Sequence, residues 1–253
     1  MKVIDIYNEL DRISPFELQE KWDNSGLIVG SFDDEVKQVY ISIDLDEKLV
    51  DSMDDNSLVI THHPLIFSAL KKVNYDDYST KILKKLIKKD ISLISMHTNI
   101  DKTHLNKYVV EDILGYKIEE KSSEDFIAYA NVNCSFDELI KNISKRLDLK
   151  TTKVVRCKDH IENIAIVTGA GMSLLNYVKA DCYLTGDIKY HDAMHAGAKN
   201  IFLIDIGHYE SERHFNTLIE NLLSNYLKKN KLKAIITASK NPFEFCIEGE
   251  PLE

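Results

Sequence analysis

No stretch of the 253-residue chain approaches the ~18–20 consecutive apolar residues that a membrane-spanning helix requires. The opening MKVIDIYNELDRI alternates charged and apolar residues as a helix does, unlike a targeting segment. Basic charge is scarce as well: 32 Lys and Arg against 41 Asp and Glu leave a net −9, so there is no overall footprint for a nucleic-acid backbone. The four cysteines, Cys134, Cys157, Cys182 and Cys246, stand far apart with no CxxC and no short Cys/His spacing. That pattern excludes the usual structural zinc arrangements and reads as free thiols in a reducing compartment, so a cytoplasmic protein is expected. Short-period repeats and low-complexity tracts are missing too. What is present, 44% hydrophobic and 29% charged residues, is ordinary for a soluble globular protein, and the length suits one large or two small domains.

Periodicity predicts an amphipathic helix over 3–12, a second short helix opened by Ser14-Pro15, and a turn-rich segment WDNSGLIVG at 22–30. VYISIDL at 39–45, LVIT at 58–61 and ISLISM at 91–96 read as buried strands, with helical spacing up to about Met53 and over 80–90. That alternation implies parallel βαβ units. A further helix is expected around 103–114, followed by a polar linker at 117–125. The same rhythm then resumes: FIAYANV, a helix near 135–148, NIAIVT, DCYLT, IFLIDI, a helix at 209–229 and a final strand AIIT at 234–237. The expected architecture is two α/β lobes, an N-terminal one over 1–122 and a C-terminal one over 123–253, with the last strand free to pack back on the first.

In open α/β sheets, ligands bind outside the carboxyl ends of the strands. THHP at 61–64, HTNID at 97–101 and GHYESE at 207–212 each follow such a strand. They bring His62, His63, Asp101, His208 and Glu212 into consideration as metal ligands. His62 and His63 would face opposite sides of a continuous strand, but Pro64 ends the ladder, so both rings could reach one cavity, or one could be a core histidine. His208 and Glu212 are spaced i, i+4, which stacks two ligands on one helix face, though a surface His–Glu pair has the same spacing. Asp101 reads as a bridging carboxylate or as the N-cap of the following helix, with His97 a ligand or its support. TGDIKYHD at 185–192 adds Asp187, Lys189, His191 and Asp192, with His195 one turn on; these read as substrate-facing acid/base groups or as helix capping and solvated histidines. TGAGMS at 168–173 is either a backbone nest for phosphate or a plain tight turn. It lacks the lysine of a P-loop and the full dinucleotide fingerprint.

Six segments in order, WDNSGLIVG, ITHHPLIF, SMHTNID, VTGAGMSL, YLTGDIKYHD and IGHYESER, resemble the Ngg-interacting-factor-like family of GTP cyclohydrolase I type 2 homologues. The resemblance runs nearly end to end and fits the short form without an inserted domain. It implies a dinuclear metal site in the cleft between two α/β lobes, with ligands His62, His63, Asp101, His208 and Glu212, His97 close by, and a homohexameric ring. One departure follows HTNID, where the family usually continues glycine, apolar, asparagine, aspartate; His104, Leu105, Asn106 and Lys107 stand here instead. The change falls on the pocket rim rather than on the ligands.

The resemblance implies a metal-dependent hydrolase attacking C8 of GTP with release of formate, with His191 and His97 as proton carriers. The residues alone imply a metal-activated water. A metal-dependent phosphohydrolase and a non-catalytic metal-binding adaptor are the alternatives. Two divalent ions per subunit are expected, and His/carboxylate sites suit zinc, iron, manganese or nickel alike. The expected partners are a small-molecule substrate, a nucleotide, and further copies of the chain, with no membrane.

Overall fold

The computed structural model describes residues 1–119, 126–237, 239–247 and 250–251. It is a mixed α/β protein whose chain packs into two compact units, Met1–Ile100 with Phe215–Lys240, and Asp101–His214 with Asn241–Glu253. The expected boundary at 122/123 lies outside the described residues, as do residues 120–125 of the expected linker. The start of that segment is sheet rather than linker, since Ile118 and Glu119 pair with Ala130 and Tyr129.

The first unit holds a five-stranded sheet. Its strands are β1 (Gly26–Val29), β2 (Gln38–Ser42), β3 (Ser57–Thr61), β4 (Ser92–Ser95) and β11 (Ala234–Ile236), in spatial order β1-β4-β3-β2-β11. All neighbours are parallel except β1 against β4. The helices α2 (Glu47–Ser52) and α3 (Tyr78–Lys88) make the crossovers that parallel pairing demands. Buried on both faces, β3 reads SLVIT without polar alternation and every residue is enclosed. The helix α1 (Val3–Ile13) buries Val3, Ile6 and Leu10, one stripe of the 3.6-residue repeat. Pro15 leads into a single 3₁₀ turn, Phe16–Leu18, shorter than the expected second helix. WDNSGLIVG is only partly a turn, because Gly26–Val29 forms the antiparallel edge strand.

In the second unit, β5 (Ile118–Glu119), β6 (Ala128–Ser135), β7 (Val154–Val155), β8 (His160–Ile166), β9 (Cys182–Thr185) and β10 (Phe202–Asp205) form a six-stranded sheet, order β5-β6-β8-β9-β10-β7. Only β8-β9-β10 are mutually parallel. A capping box of Ser135 and Glu138 starts α6 (Phe136–Leu147), which buries Phe136, Leu139, Ile143 and Leu147. The last helical region is two elements, α8 (His208–Glu212) and α9 (Phe215–Lys229), because the chain breaks at Arg213–His214 instead of running unbroken from 209. The return segment Phe215–Lys240 belongs to the first unit, where β11 pairs with β2.

After β4 the chain enters a helical run at Thr98, five residues earlier than periodicity suggested. It comprises α4 (Thr98–Ile100) and α5 (Asn106–Tyr108), each followed by a π-wound turn, Asp101–Leu105 and Val109–Ile113. Helix α7 (Tyr190–Ala198) follows β9. All four cysteines are free thiols. Among the described residues no helix is long and apolar enough to cross a membrane.

Candidate metal centre

The strand ends carry the chemistry, as open parallel sheets favour. At the exit of β3 the backbone N–H groups of His62 and His63 both donate to the Ile43 carbonyl, so the two residues turn off the sheet together. Their rings come to 4.9 Å between centroids, and the His97 ring, at the exit of β4, lies 5.2 and 5.5 Å from them. One ligating nitrogen from each of the three lies within 4.8 Å of the others. Within this unit the structure thus brings both members of the His pair together, and His97 joins them.

Each ring is held by its Nδ1. His62 Nδ1 donates to the Met96 carbonyl (2.9 Å), His63 Nδ1 is paired with Asp44 Oδ1 (2.9 Å), and His97 Nδ1 with Asp23 Oδ1 (2.7 Å). A carbonyl or carboxylate oxygen only accepts, so these contacts place a proton on each Nδ1. This oxygen–histidine arrangement is how metal-binding imidazoles are oriented.

Asp23 is the buried organiser. Its carboxylate accepts from His97 Nδ1, the backbone N–H groups of Asn24 (2.8 Å) and Thr98 (3.0 Å), the Thr98 hydroxyl, and Ser25 Oγ (3.2 Å). Burial by itself would raise its pKa. The hydrogen bonds from His97, Thr98 and Asn24 outweigh that and hold the carboxyl well below the usual carboxylate range. Asp23 also does the capping that was one reading of Asp101, since it takes the Thr98 N–H at the start of the helical run. Asp101 is therefore no N-cap; it is a buried residue at the first position of a π-wound turn, a geometry that often marks functional sites.

In the second unit, His208 opens α8 and Glu212 lies one turn on, with Nε2 and Oε2 3.0 Å apart. Gly207 makes the abrupt entry with φ +70°. His208 Nδ1 is paired with Asp187 Oδ2 at 2.7 Å, so this imidazole has a carboxylate against each of its ring nitrogens. Asp187 thus orients a histidine, whereas Asp192 caps α7 by accepting from the Lys189 N–H. His191 and His195 are exposed on α7, and His191 meets the Tyr190 ring edge-on.

TGAGMS is a tight turn rather than a phosphate nest. The Gly169 N–H donates to Ser211 Oγ and the Gly171 N–H to Thr185 Oγ1, so its inward donors are committed. Its purpose is room: a Cβ on Gly169, whose φ is +63°, would stand 2.0 Å from Glu212 Oε1. Nearby, buried Asn106 accepts from Thr168 and donates to the Asp101 and Phe126 carbonyls.

Sequence reasoning missed Asp23 and Asp44 as orienting groups. The available signal was a carboxylate at a strand margin, Asp23 before β1 and Asp44 after β2, but their pairing with particular histidines depends on register. Imidazole and carboxylate donors oriented in this way suit a borderline divalent cation, so the donor set fits a metal.

The chain is 48% identical over 246 residues to a GTP cyclohydrolase 1 type 2 homolog of Campylobacter jejuni, covering 97% of this chain and 100% of that protein. It is 43% identical to a GTP cyclohydrolase 1 type 2 of Helicobacter pylori, covering 93% and 95%. Among solved structures, Staphylococcus aureus protein SA1388 superposes with a TM-score of 0.83 at 26% identity, covering 97% and 99%. Reduced HcgD from Methanocaldococcus jannaschii gives 0.79 at 28%, covering 93% and 97%. The family model described as Duf34/NIF3 (NGG1p interacting factor 3) matches residues 1–242, and the chain belongs to that family.

Proposed function

We propose that this protein is a dinuclear metal-dependent hydrolase that opens the imidazole ring of GTP at C8 and releases formate. The observation that carries the metal half of this reading is that His62, His63 and His97 bring one ligating nitrogen each to within 4.8 Å of the others. Each of these rings, and that of His208, is oriented by a bond between Nδ1 and an oxygen. The choice of GTP draws on the relatives' names, whose two proteins span nearly this whole chain.

In this reading His62, His63, Asp101, His208 and Glu212 supply the ligands of two divalent ions. Such ions supply Lewis acidity, lowering the pKa of water so that it attacks near neutral pH. His97 takes and returns protons through Nε2, its ring fixed by Asp23. His191, solvent-exposed on α7, is the second candidate proton carrier. We also propose a homohexamer in the cytoplasm; a monomer by light scattering at micromolar concentration would remove the hexamer.

The test is product analysis on chelator-stripped protein reloaded with zinc, iron, manganese or nickel and supplied with GTP. Formate released only with metal supports the cyclohydrolase. Inorganic phosphate instead of formate replaces it with a phosphohydrolase, and neither product from a metal-loaded protein leaves a non-catalytic metal-binding role.

A further inference from the structure

Trp22, the chain's sole tryptophan, is 58% exposed, and Phe67 is 48% exposed. Large rings tend to be drawn into a core, so two exposed side by side need a reason. The backbone around them supplies the means. Asp23, next to Trp22, is anchored as described above, and Asn24 Nδ2 donates to the carbonyl of Ile66, next to Phe67. Ser25 Oγ accepts from the His97 N–H at 3.1 Å. The 22–25 loop, the segment after THHP and the exit of β4 are therefore cross-tied within one unit.

The result is an ordered aromatic pair. The Trp22 and Phe67 centroids lie 5.9 Å apart with planes tilted by 48°. Both rings meet His97 edge-on at the same interplanar angle of 77°, at 6.3 and 6.2 Å. His97 in turn is in ring contact with His62 and His63. The exposed aromatic surface is thus continuous with the candidate metal centre.

We propose that Trp22 and Phe67 are the docking face for the planar heteroaromatic ring of the substrate, a purine nucleobase held by stacking beside the His62–His63–His97 cluster. The proposal rests on the nucleotide reading above and deepens it by naming base-recognition residues. Every base has a π-face, so the pair selects a ring from a bare phosphate and leaves the choice among bases to polar contacts. A continuous site explains the exposure better than an interface between copies, because a partner seated on these rings would also cover His97.

Because Trp22 is the only tryptophan, its emission reports this face directly. Metal-loaded protein is titrated with GTP and, separately, with inorganic tripolyphosphate, which keeps the charge but has no ring. GTP should quench Trp22 emission saturably and tripolyphosphate should not. In calorimetric titrations Trp22→Ala should weaken GTP binding roughly 5- to 150-fold, the usual range for removing one stacking ring. Its metal content and tripolyphosphate binding should match wild type, and Trp22→Phe should restore most of the lost affinity. Quenching without formate release upholds the stacking face while the cyclohydrolase reading fails. Formate release with no quenching, and with wild-type GTP affinity in Trp22→Ala, overturns the stacking face while the reaction stands. Emission that follows protein concentration but not GTP also overturns it and makes the pair an interface between copies.

Discussion

Replacing Asp23 by asparagine should weaken divalent-metal binding about 10- to 100-fold, the usual cost of losing an orienting partner behind a metal-binding histidine. The side chain is fully enclosed, so water cannot take over its bonds. Oδ1 accepts from His97 Nδ1 and the Asn24 N–H; Oδ2 accepts from the Thr98 N–H and two hydroxyls. An asparagine has one oxygen for these two sets. If its NH₂ faces His97, Nδ1 must accept a hydrogen bond with its lone pair, so Nε2 carries the ring hydrogen and cannot coordinate. If the NH₂ faces Thr98, the hydroxyls can rotate to accept but the backbone N–H cannot. Either way one buried N–H goes unmet, a loss of about 1–3 kcal/mol in stability. Asp44→Asn is the contrast. That carboxylate is 46% exposed where it holds His63, so solvent can substitute and stability should change by no more than about 0.5 kcal/mol. Calorimetric titration of chelator-stripped protein with zinc or manganese, alongside urea unfolding, measures both quantities. An Asp23→Asn protein with wild-type metal affinity and urea midpoint would refute the argument that this carboxylate sets the His97 tautomer.

The other expectations concern the second unit. Gly169→Ala should displace the Glu212 carboxylate and cost roughly 1–2 kcal/mol for a Cβ at positive φ, so metal stoichiometry and urea midpoint should both fall; unchanged values of both would contradict the packing argument. Glu212→Gln should keep the fold by circular dichroism while lowering the occupancy of at least one metal, and wild-type stoichiometry by elemental analysis would remove Glu212 from the ligand set. Burial, helped by the Arg213 charge, depresses the His214 pKa to about 4. The unfolded chain then takes a proton the folded one refuses, so stability is fully present above an unfolded pKa of about 6.5 and declines as pH falls toward 4. Linkage puts the loss at about 3 kcal/mol, and His214→Gln should flatten that part of the urea-midpoint profile against pH; an equally steep profile in the variant would show that another group titrates.

Much of the fold and half of the site chemistry could be read without coordinates. Apolar runs such as LVIT and ISLISM carry their own evidence of burial, because a strand covered on both faces tolerates no polar alternation. The break imposed by Pro64 allowed His62 and His63 to come together, with a core histidine as the alternative, and the i, i+4 spacing allowed His208 to stack on Glu212. What local pattern could not supply were relations between distant residues. Gly26–Val29 is a strand because β4 offers it an edge, and nothing in WDNSGLIVG states which strand that is. The helical run begins at Thr98, before the expected 103, because Asp23, 75 residues earlier, receives its first N–H. Asp187 looked like an acid/base group and orients His208 instead, and TGAGMS looked able to cradle phosphate yet makes space for Glu212. The sequence by itself determined the donor types and their places at strand ends, since these follow from local chemistry and periodicity. Only the tertiary structure decided which carboxylate meets which imidazole, and hence how each ring is oriented, because that depends on strand register and on loops brought together by the sheet.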